Sequence, residues 1–144
     1  MQFHVVMTQR CNLHCTYCDN TVEPSLMPIN LDYSLKTLDD FVKRNPEPPV
    51  LCFYGGEPMM NQEKVMDIMD TIPAKAFVIQ TNGTMLRHLP GDYLKKFDSI
   101  LVSVDGRPLQ TDINRGLGTY VRAMHGILYA RSQGFTGETY HHSY

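Results

Sequence analysis

The 144-residue chain has no long apolar run, no excess of basic residues and no low-complexity tract. No apolar stretch approaches the roughly 20 residues that a membrane-spanning helix requires, so we expect no membrane segment. A net charge of -2 at pH 7 argues against a nucleic-acid-binding surface, which is usually strongly basic. With 42% hydrophobic and 19% charged residues, the composition is that of one globular domain.

No charged start is followed by an apolar run and a small-residue cleavage site, so we expect no secretory leader. We therefore expect a reducing, cytoplasmic location, in which the four cysteines do not form disulfides. Cys52 lies within the apolar run 50–54, and we predict that it is a small buried core residue rather than a metal ligand.

The other three cysteines, Cys11, Cys15 and Cys18, follow the first apolar stretch on one short loop. Three thiolates can bind three irons of a cubane cluster, which usually takes four cysteines. The fourth iron would keep an open position, as catalytic metal sites do. Zinc, with His14 as a fourth ligand, is an alternative, although zinc sites usually contain a second pair of closely spaced ligands and none follows here.

Short apolar segments alternate with amphipathic ones along the chain. Four strands, each followed by a helix, predict an α/β fold with a parallel sheet and right-handed crossovers. Ligands of such sheets bind at the carboxyl ends of the strands. The last predicted helix begins at 118–119 and carries Val121, Met124, Ile127, Leu128 and Arg131 at helical spacing. The predicted strands are 3–8, 50–54, 76–80 and 100–104, and the other predicted helices are 31–44, 61–72 and, as a short turn, 93–97.

Polar segments follow these predicted strands. Residues 54–58 (YGGEP) contain paired glycines, which let a backbone approach a ligand closely, and a carboxylate that can accept from an ammonium group. Residues 80–83 (QTNG) suit either a ligand contact or a plain turn. In residues 103–106 (SVDG), Ser103 and Asp105 share one side of the extended chain, so both can face the carboxyl end of the sheet.

Residues 111–116 (TDINRG) contain Arg115, whose planar guanidinium can bind a carboxylate with two hydrogen bonds. The remaining histidines, His4, His88 and His125, share no spacing that would gather them on a metal ion.

The cysteine spacing, with Tyr17 before the last cysteine, and the ordered segments after the strands resemble the radical S-adenosylmethionine (radical SAM) superfamily over about residues 1–134. The resemblance implies a partial (β/α) parallel barrel, a 4Fe-4S cluster and S-adenosylmethionine (AdoMet). In that family one electron from the cluster cleaves AdoMet to a 5'-deoxyadenosyl radical that abstracts hydrogen from a substrate. Residues 111–116 resemble a segment of peptide-modifying and sulfatase-maturing members, with Thr111 in place of histidine.

The resemblance also implies roles for individual residues. The cluster would be held by Cys11, Cys15 and Cys18, and AdoMet by residues after each strand. Among these, Gly55, Gly56 and Glu57 would hold its ammonium group, Ser103 and Asp105 its ribose, and Arg115 its carboxylate, while Tyr17, Thr81 and Asn82 would lie beside it.

The family barrel has six strand-helix units, whereas about four are recognisable here. We therefore expect a barrel core at 1–138, incomplete at its carboxyl end, followed by a disordered tail at 139–144. Expected partners are a peptide or small-molecule substrate, an electron donor such as a ferredoxin or flavodoxin, and a chain that supplies missing strands. Alternatives are a non-catalytic iron-sulfur or electron-transfer module, an inactive truncated fragment and a zinc-binding interaction domain.

Overall fold

A computed structural model describes residues 1–19 and 22–142, with side chains as far as residue 140. Its described part contains five strands and five α-helices, joined by loops and two short 3-10 turns, Pro58–Asn61 and Leu86–His88. The strands are β1 (Gln2–Thr8), β2 (Val50–Gly55), β3 (Ala76–Thr81), β4 (Phe97–Ser103) and β5 (Glu138–His142), and the helices are α1 (Leu35–Val42), α2 (Gln62–Thr71), α3 (Gly91–Leu94), α4 (Pro108–Arg115) and α5 (Thr119–Ser132).

The strands form one sheet in the order β1-β2-β3-β4-β5, and every neighbouring pair is parallel. This confirms the predicted α/β class, and the sheet is open, with β1 and β5 at its edges. Because side chains alternate along a strand, one face of the sheet carries apolar residues that pack into the core. Those residues are Val5, Met7, Leu51, Phe53, Ile79, Ile100 and Val102, each at most 3% exposed.

The first part of 139–144, the segment expected to be a disordered tail, belongs to strand β5. Strand β5 runs parallel to β4, with Glu138 beside Ser99 and His142 beside Ser103. The free edge of β4 offers backbone N–H and C=O groups that need partners, and this pairing does not depend on alternating side chains. Residues 143–144 lie outside the described part of the chain.

The helices differ from prediction where side chains make local contacts. Helix α1 begins at Leu35 because the Ser34 hydroxyl accepts a hydrogen bond from Thr37 N–H, at 3.1 Å. Asn61 precedes α2 but does not cap it, since its Nδ2 donates to the Met7 carbonyl at 2.9 Å and ties the helix to β1. Helix α4, with Pro108 in its first turn, was not predicted.

The helical spacing noted in α5 does not identify its buried face. Val121 and Leu128 are 54% and 65% exposed, whereas small residues, among them Ala123 and Gly126, face the interior. A Cβ at Gly126 would lie 2.2 Å from the Gly83 carbonyl oxygen, so the helix packs too closely on the loop after β3 for large side chains. No helix in the described residues has both the length and the apolar character needed to span a membrane.

Candidate functional site

A cleft of about 290 Å³ lies where the carboxyl ends of the first four strands meet the cysteine loop. All but two of the residues predicted for the site line this cleft; the exceptions are Glu57 and Asp105. The lining residues are Cys11, Leu13, Cys15, Tyr17, Cys18, Tyr54, Gly55, Gly56, Gln80, Thr81, Asn82, Ser103 and Arg115.

The cysteine loop begins directly after β1 and is fixed by short-range and long-range hydrogen bonds. Within the loop, the N–H of Leu13 donates to the Cys11 sulfur at 3.4 Å, and the N–H of Cys18 donates to the Cys15 carbonyl at 3.0 Å. The N–H of Thr16 donates to the Asn114 carbonyl in α4 at 2.8 Å. The loop is therefore attached to the end of α4, far along the chain, as well as to β1.

The paired glycines after β2 allow close contact between two protein segments. A Cβ at Gly55 would lie 2.4 Å from the Thr8 carbonyl oxygen, and one at Gly56 would lie 2.3 Å from the Arg10 carbonyl oxygen. The N–H of Gly56 donates to the Thr8 carbonyl at 2.9 Å. Only glycine lets this turn press against the chain leading into Cys11, while the glycine backbone still lines the cleft.

Glu57 does not line the cleft, and its predicted contact with an ammonium group stays a prediction. Its side chain is fully buried, and its carboxylate accepts hydrogen bonds from Met59 N–H (3.0 Å), Thr81 hydroxyl (2.8 Å) and Asn82 N–H (2.8 Å). Burial raises the pKa of this carboxyl group, and the three hydrogen bonds oppose that rise. Glu57 thus joins the turn after β2 to the end of β3.

Asn82 connects the end of β3 to the cysteine loop. Its Nδ2 donates to the Asn12 side-chain oxygen at 2.8 Å and lies 3.9 Å from the Cys11 sulfur. Thr81, its neighbour, also lines the cleft and donates its hydroxyl to Glu57. Thr81 and Asn82 therefore lie beside the cysteines, as predicted for the pair, and both side chains make hydrogen bonds within the protein.

Asp105 and Arg115 form a buried ion pair, and each side chain is only 4% exposed. The Arg115 Nε and Nη2 donate to the two Asp105 oxygens, both at 3.0 Å. Asn114 Nδ2 and the Tyr17 hydroxyl donate to the same carboxylate, at 3.2 Å and at 3.1–3.2 Å. Both oxygens of Asp105 thus accept hydrogen bonds from protein donors, and its predicted contact with ribose stays a prediction.

Burial would raise the pKa of Asp105, but the hydrogen bonds and charge of Arg115, with the bonds from Asn114 and Tyr17, lower it. The carboxylate is thus ionised at neutral pH and holds Arg115 at the wall of the cleft. The Arg115 guanidinium also lies 5.5 Å from the centre of the Tyr17 ring. Tyr17 consequently links the cysteine loop to both members of the ion pair.

Cys11 and Cys15 are half-buried, whereas Cys18 is exposed. Burial raises the pKa of Cys11 and of Cys15, and the positive charge of Arg115 partly offsets the rise at Cys15. A thiol must be deprotonated to bind a metal, and binding itself releases the proton. Arg115 therefore favours the thiolate form of Cys15.

The donor set fits a cluster better than a single ion. Among the described residues, no three His, Cys, Asp or Glu side chains converge closely enough to surround one metal ion. The three cysteines all line the cleft, and each thiolate of a cluster binds a different iron. All four cysteines are free, and Cys52 is 2% exposed in β2, as predicted.

Leu13, Tyr54 and Gln80 line the cleft but were not predicted as site residues. A signal exists for two of them. Tyr54 and Gln80 alternate with the buried Phe53 and Ile79, so both lie on the sheet face opposite the helix-packed core. Leu13 has no comparable signal, since its position depends on the path of the cysteine loop.

Comparisons with known proteins agree with this geometry. A family model described as the Radical SAM superfamily, whose members are enzymes that use a 4Fe-4S cluster and AdoMet, matches residues 5–143. The chain is 25% identical over 123 residues to the radical SAM cyclopropyl synthase TigE of Paramaledivibacter caminithermalis, covering 70% of this chain and 26% of that protein. It is 26% identical over 134 residues to the 7-carboxy-7-deazaguanine synthase of Thermoplasma acidophilum, covering 90% of this chain and 56% of that protein.

The fold is shared with a solved structure, native anSMEcpe with bound AdoMet and Cp18Cys peptide. The TM-score is 0.73 at 19% identity, and the match covers 96% of this chain and 42% of that chain. The open sheet is therefore a partial radical SAM barrel, and the chain spans about half or less of these proteins. The chain belongs to the radical SAM superfamily.

Proposed function

We propose that this chain binds a 4Fe-4S cluster and AdoMet in the cleft and that it belongs to an enzyme acting on an organic substrate by hydrogen abstraction. The observation that carries the proposal is the convergence of Cys11, Cys15 and Cys18 with the ends of β2, β3 and β4 on one cleft. A non-catalytic iron-sulfur module would need the cysteines alone.

The three cysteine thiolates are the proposed cluster ligands, leaving one iron without a protein ligand. When bound, the cluster and AdoMet would supply an electron and a 5'-deoxyadenosyl radical for hydrogen abstraction. The protein's own contribution is to orient these groups and exclude water. Asn82 and Tyr17 contribute by fixing the cysteine loop to β3 and to the ion pair behind it.

The groups proposed to hold AdoMet are those that line the cleft opposite the cysteines. The backbone of Gly55 and Gly56 can approach the ligand, because no side chain covers it, and Ser103 offers a hydroxyl for ribose. Arg115 remains the candidate for the carboxylate, and Asp105 fixes the orientation of its guanidinium. We thus propose Glu57 and Asp105 as positioning residues rather than ligand contacts.

The substrate class, the electron donor and the compartment are finer parts of the same proposal. The resemblance of 111–116 to peptide-modifying members and the fold shared with anSMEcpe support a peptide, whereas relatives such as the deazaguanine synthase support a small molecule. A ferredoxin or flavodoxin is the proposed electron donor. The free cysteines accord with a reducing, cytoplasmic location. A partner chain pairing with β5 stays a prediction.

Anaerobic reconstitution with iron and sulfide tests the cluster assignment. Replacing Cys11, Cys15 or Cys18 singly by serine should remove most bound iron and sulfide and the brown colour of the cluster. Cys52→Ala is the matched control, because Cys52 does not line the cleft, and it should load as well as the parent chain. Full iron and sulfide in any of the three serine variants would contradict the proposed ligand set.

A further inference from the structure

A second cavity of about 350 Å³ lies at the surface and is lined by exposed basic residues. Thr84, Arg87 and His88 come from the segment after β3, and Arg122 and His125 come from α5. Each charged or titratable side chain in this lining is arginine or histidine, although the chain as a whole has a net charge of -2. The cavity is thus a local concentration of hydrogen-bond donors and positive charge.

The fold brings together residues that share no sequence spacing. His88 and His125 face one cavity because α5 packs directly on the loop after β3, where Gly126 leaves no room for a Cβ beside the Gly83 carbonyl. Two histidines alone make a poor metal site, and the described residues contain no third metal ligand beside them. The accompanying arginines point instead to an anion.

The position of the arginines suits an oxyanion with several oxygens. Arg122 lies in the first turn of α5, where its Nη2 donates to the Thr119 hydroxyl at 3.3 Å and its Nε to the Gly118 carbonyl at 3.4 Å. Asp112 interacts electrostatically with Arg122, but its carboxylate accepts from the backbone N–H groups of Gly118 and Tyr120, both at 2.9 Å.

Arg87 and His88 line the cavity from the segment after β3, and Arg122 and His125 line it from α5. A tetrahedral phosphate has oxygens for donors on both elements, whereas a carboxylate has two oxygens in one plane. We propose that this cavity binds a phosphate group of a small-molecule ligand.

The basic cavity and the cofactor cleft share a thin polar wall. The Thr84 hydroxyl, which faces the basic cavity, donates to the Asn82 side-chain oxygen at 2.7 Å and accepts from Asn12 Nδ2 at 3.0 Å. Asn82 lines the cofactor cleft on the other side. A ligand anchored by its phosphate would therefore lie next to the proposed radical site, so that, given the proposed function, the ligand is the substrate.

Calorimetric titration of the full chain with pyrophosphate at low ionic strength tests the phosphate site without any cluster. We expect saturable binding of one pyrophosphate per chain, weakened at least about tenfold in the R87Q/R122Q variant, because each arginine contributes a charge-assisted hydrogen bond. Arg44→Gln is the matched control, since Arg44 is an exposed arginine at the end of α1, and it should bind like the parent chain. Circular dichroism checks that the variants fold.

Equal affinity in the parent chain and R87Q/R122Q would mean an adventitious ion only and would overturn the proposal. Tighter binding of citrate than of pyrophosphate would also overturn it, because the site would then select carboxylates. The titration is independent of the proposed function, which is tested by cluster loading. R87Q/R122Q should still load iron and sulfide fully, so the two proposals can fail separately.

Discussion

The carboxylates of Glu57 and Asp105 lie behind the wall of the cleft and hold its parts together. Glu57 joins the turn after β2 to the end of β3, and Asp105 joins the end of β4 to α4 and, through Tyr17, to the cysteine loop. Both are acidic residues of the segments that suggested cofactor binding. Their contribution to binding is therefore expected to pass through the stability and shape of the cleft.

Glu57→Gln separates a positioning role from a direct ligand contact. The glutamine amide would keep one acceptor oxygen, but its NH₂ group is a donor and would face the N–H donor of either Asn82 or Met59. We expect the cluster-free chain to lose about 1–3 kcal/mol of unfolding free energy, as for a buried donor left without an acceptor. Urea denaturation measures it. Unchanged stability combined with weaker AdoMet binding would restore the direct contact predicted from sequence.

The Asp105–Arg115 pair makes a prediction about acid stability. Folding lowers the pKa of the Asp105 carboxyl group below its ordinary value of 3.8. The ionised group therefore stabilises the fold when the pH is above 3.8, and this stabilisation is lost as the pH falls through the lower folded-state pKa. The neutral double variant Asp105→Asn/Arg115→Gln lacks the contribution. The free energy of unfolding of the parent chain, relative to this variant, should therefore decrease as the pH falls below 3.8.

Urea unfolding of both proteins across the acidic range measures this difference. Exposed carboxylates with lowered pKa values, such as Asp40 and Asp70, are present in both proteins, so their contributions cancel. A difference that stays constant through the acidic range would contradict the depressed pKa.

At the scale of elements, α5 shows that helical periodicity alone does not determine which side of a helix is buried. Its apolar residues recur at helical spacing, yet Val121 and Leu128 are exposed and Gly126 is at the contact. The pattern predicted a helix correctly but not which side is buried, because the close approach to Gly83 selects small residues. The helix position in turn creates the basic cavity.

Gly126→Ala tests this contact. In an exposed helix the change would stabilise by about 1 kcal/mol, because alanine favours the helix. Here the added Cβ would lie 2.2 Å from the Gly83 carbonyl oxygen, so we expect a loss of about 1–3 kcal/mol in unfolding free energy. Leu128→Ala, at an exposed position of the same helix, should change stability by no more than about 0.5 kcal/mol. A stabilised Gly126→Ala variant would show that α5 packs less closely.

Strand and loop signals that are local in sequence were sufficient for much of the fold. The alternation of short apolar segments with helical segments predicted the first four strands and their parallel arrangement. The cysteine spacing predicted the loop that lines the cleft. Features that depend on distant partners were not predictable. The carboxylates of Glu57 and Asp105 meet N–H and guanidinium groups that no spacing rule connects to them, and β5 forms because β4 offers a free edge.

At the scale of the whole molecule, the partial barrel gathers the ends of four strands around one cleft. The chain spans 26% of TigE, 56% of the deazaguanine synthase and 42% of anSMEcpe. The family model matches residues 5–143, which contain the cysteine loop and all segments that line the cleft. The central expectation is therefore that this part by itself carries the cofactor site.

Electron paramagnetic resonance of the reduced, reconstituted chain, recorded with and without AdoMet, tests that expectation most directly. We predict a 4Fe-4S signal whose shape changes when AdoMet is added, because the iron without a cysteine ligand is free to bind it. Cys52→Ala should behave in the same way. A 4Fe-4S signal that AdoMet leaves unchanged would contradict the account and would favour an iron-sulfur module without radical chemistry.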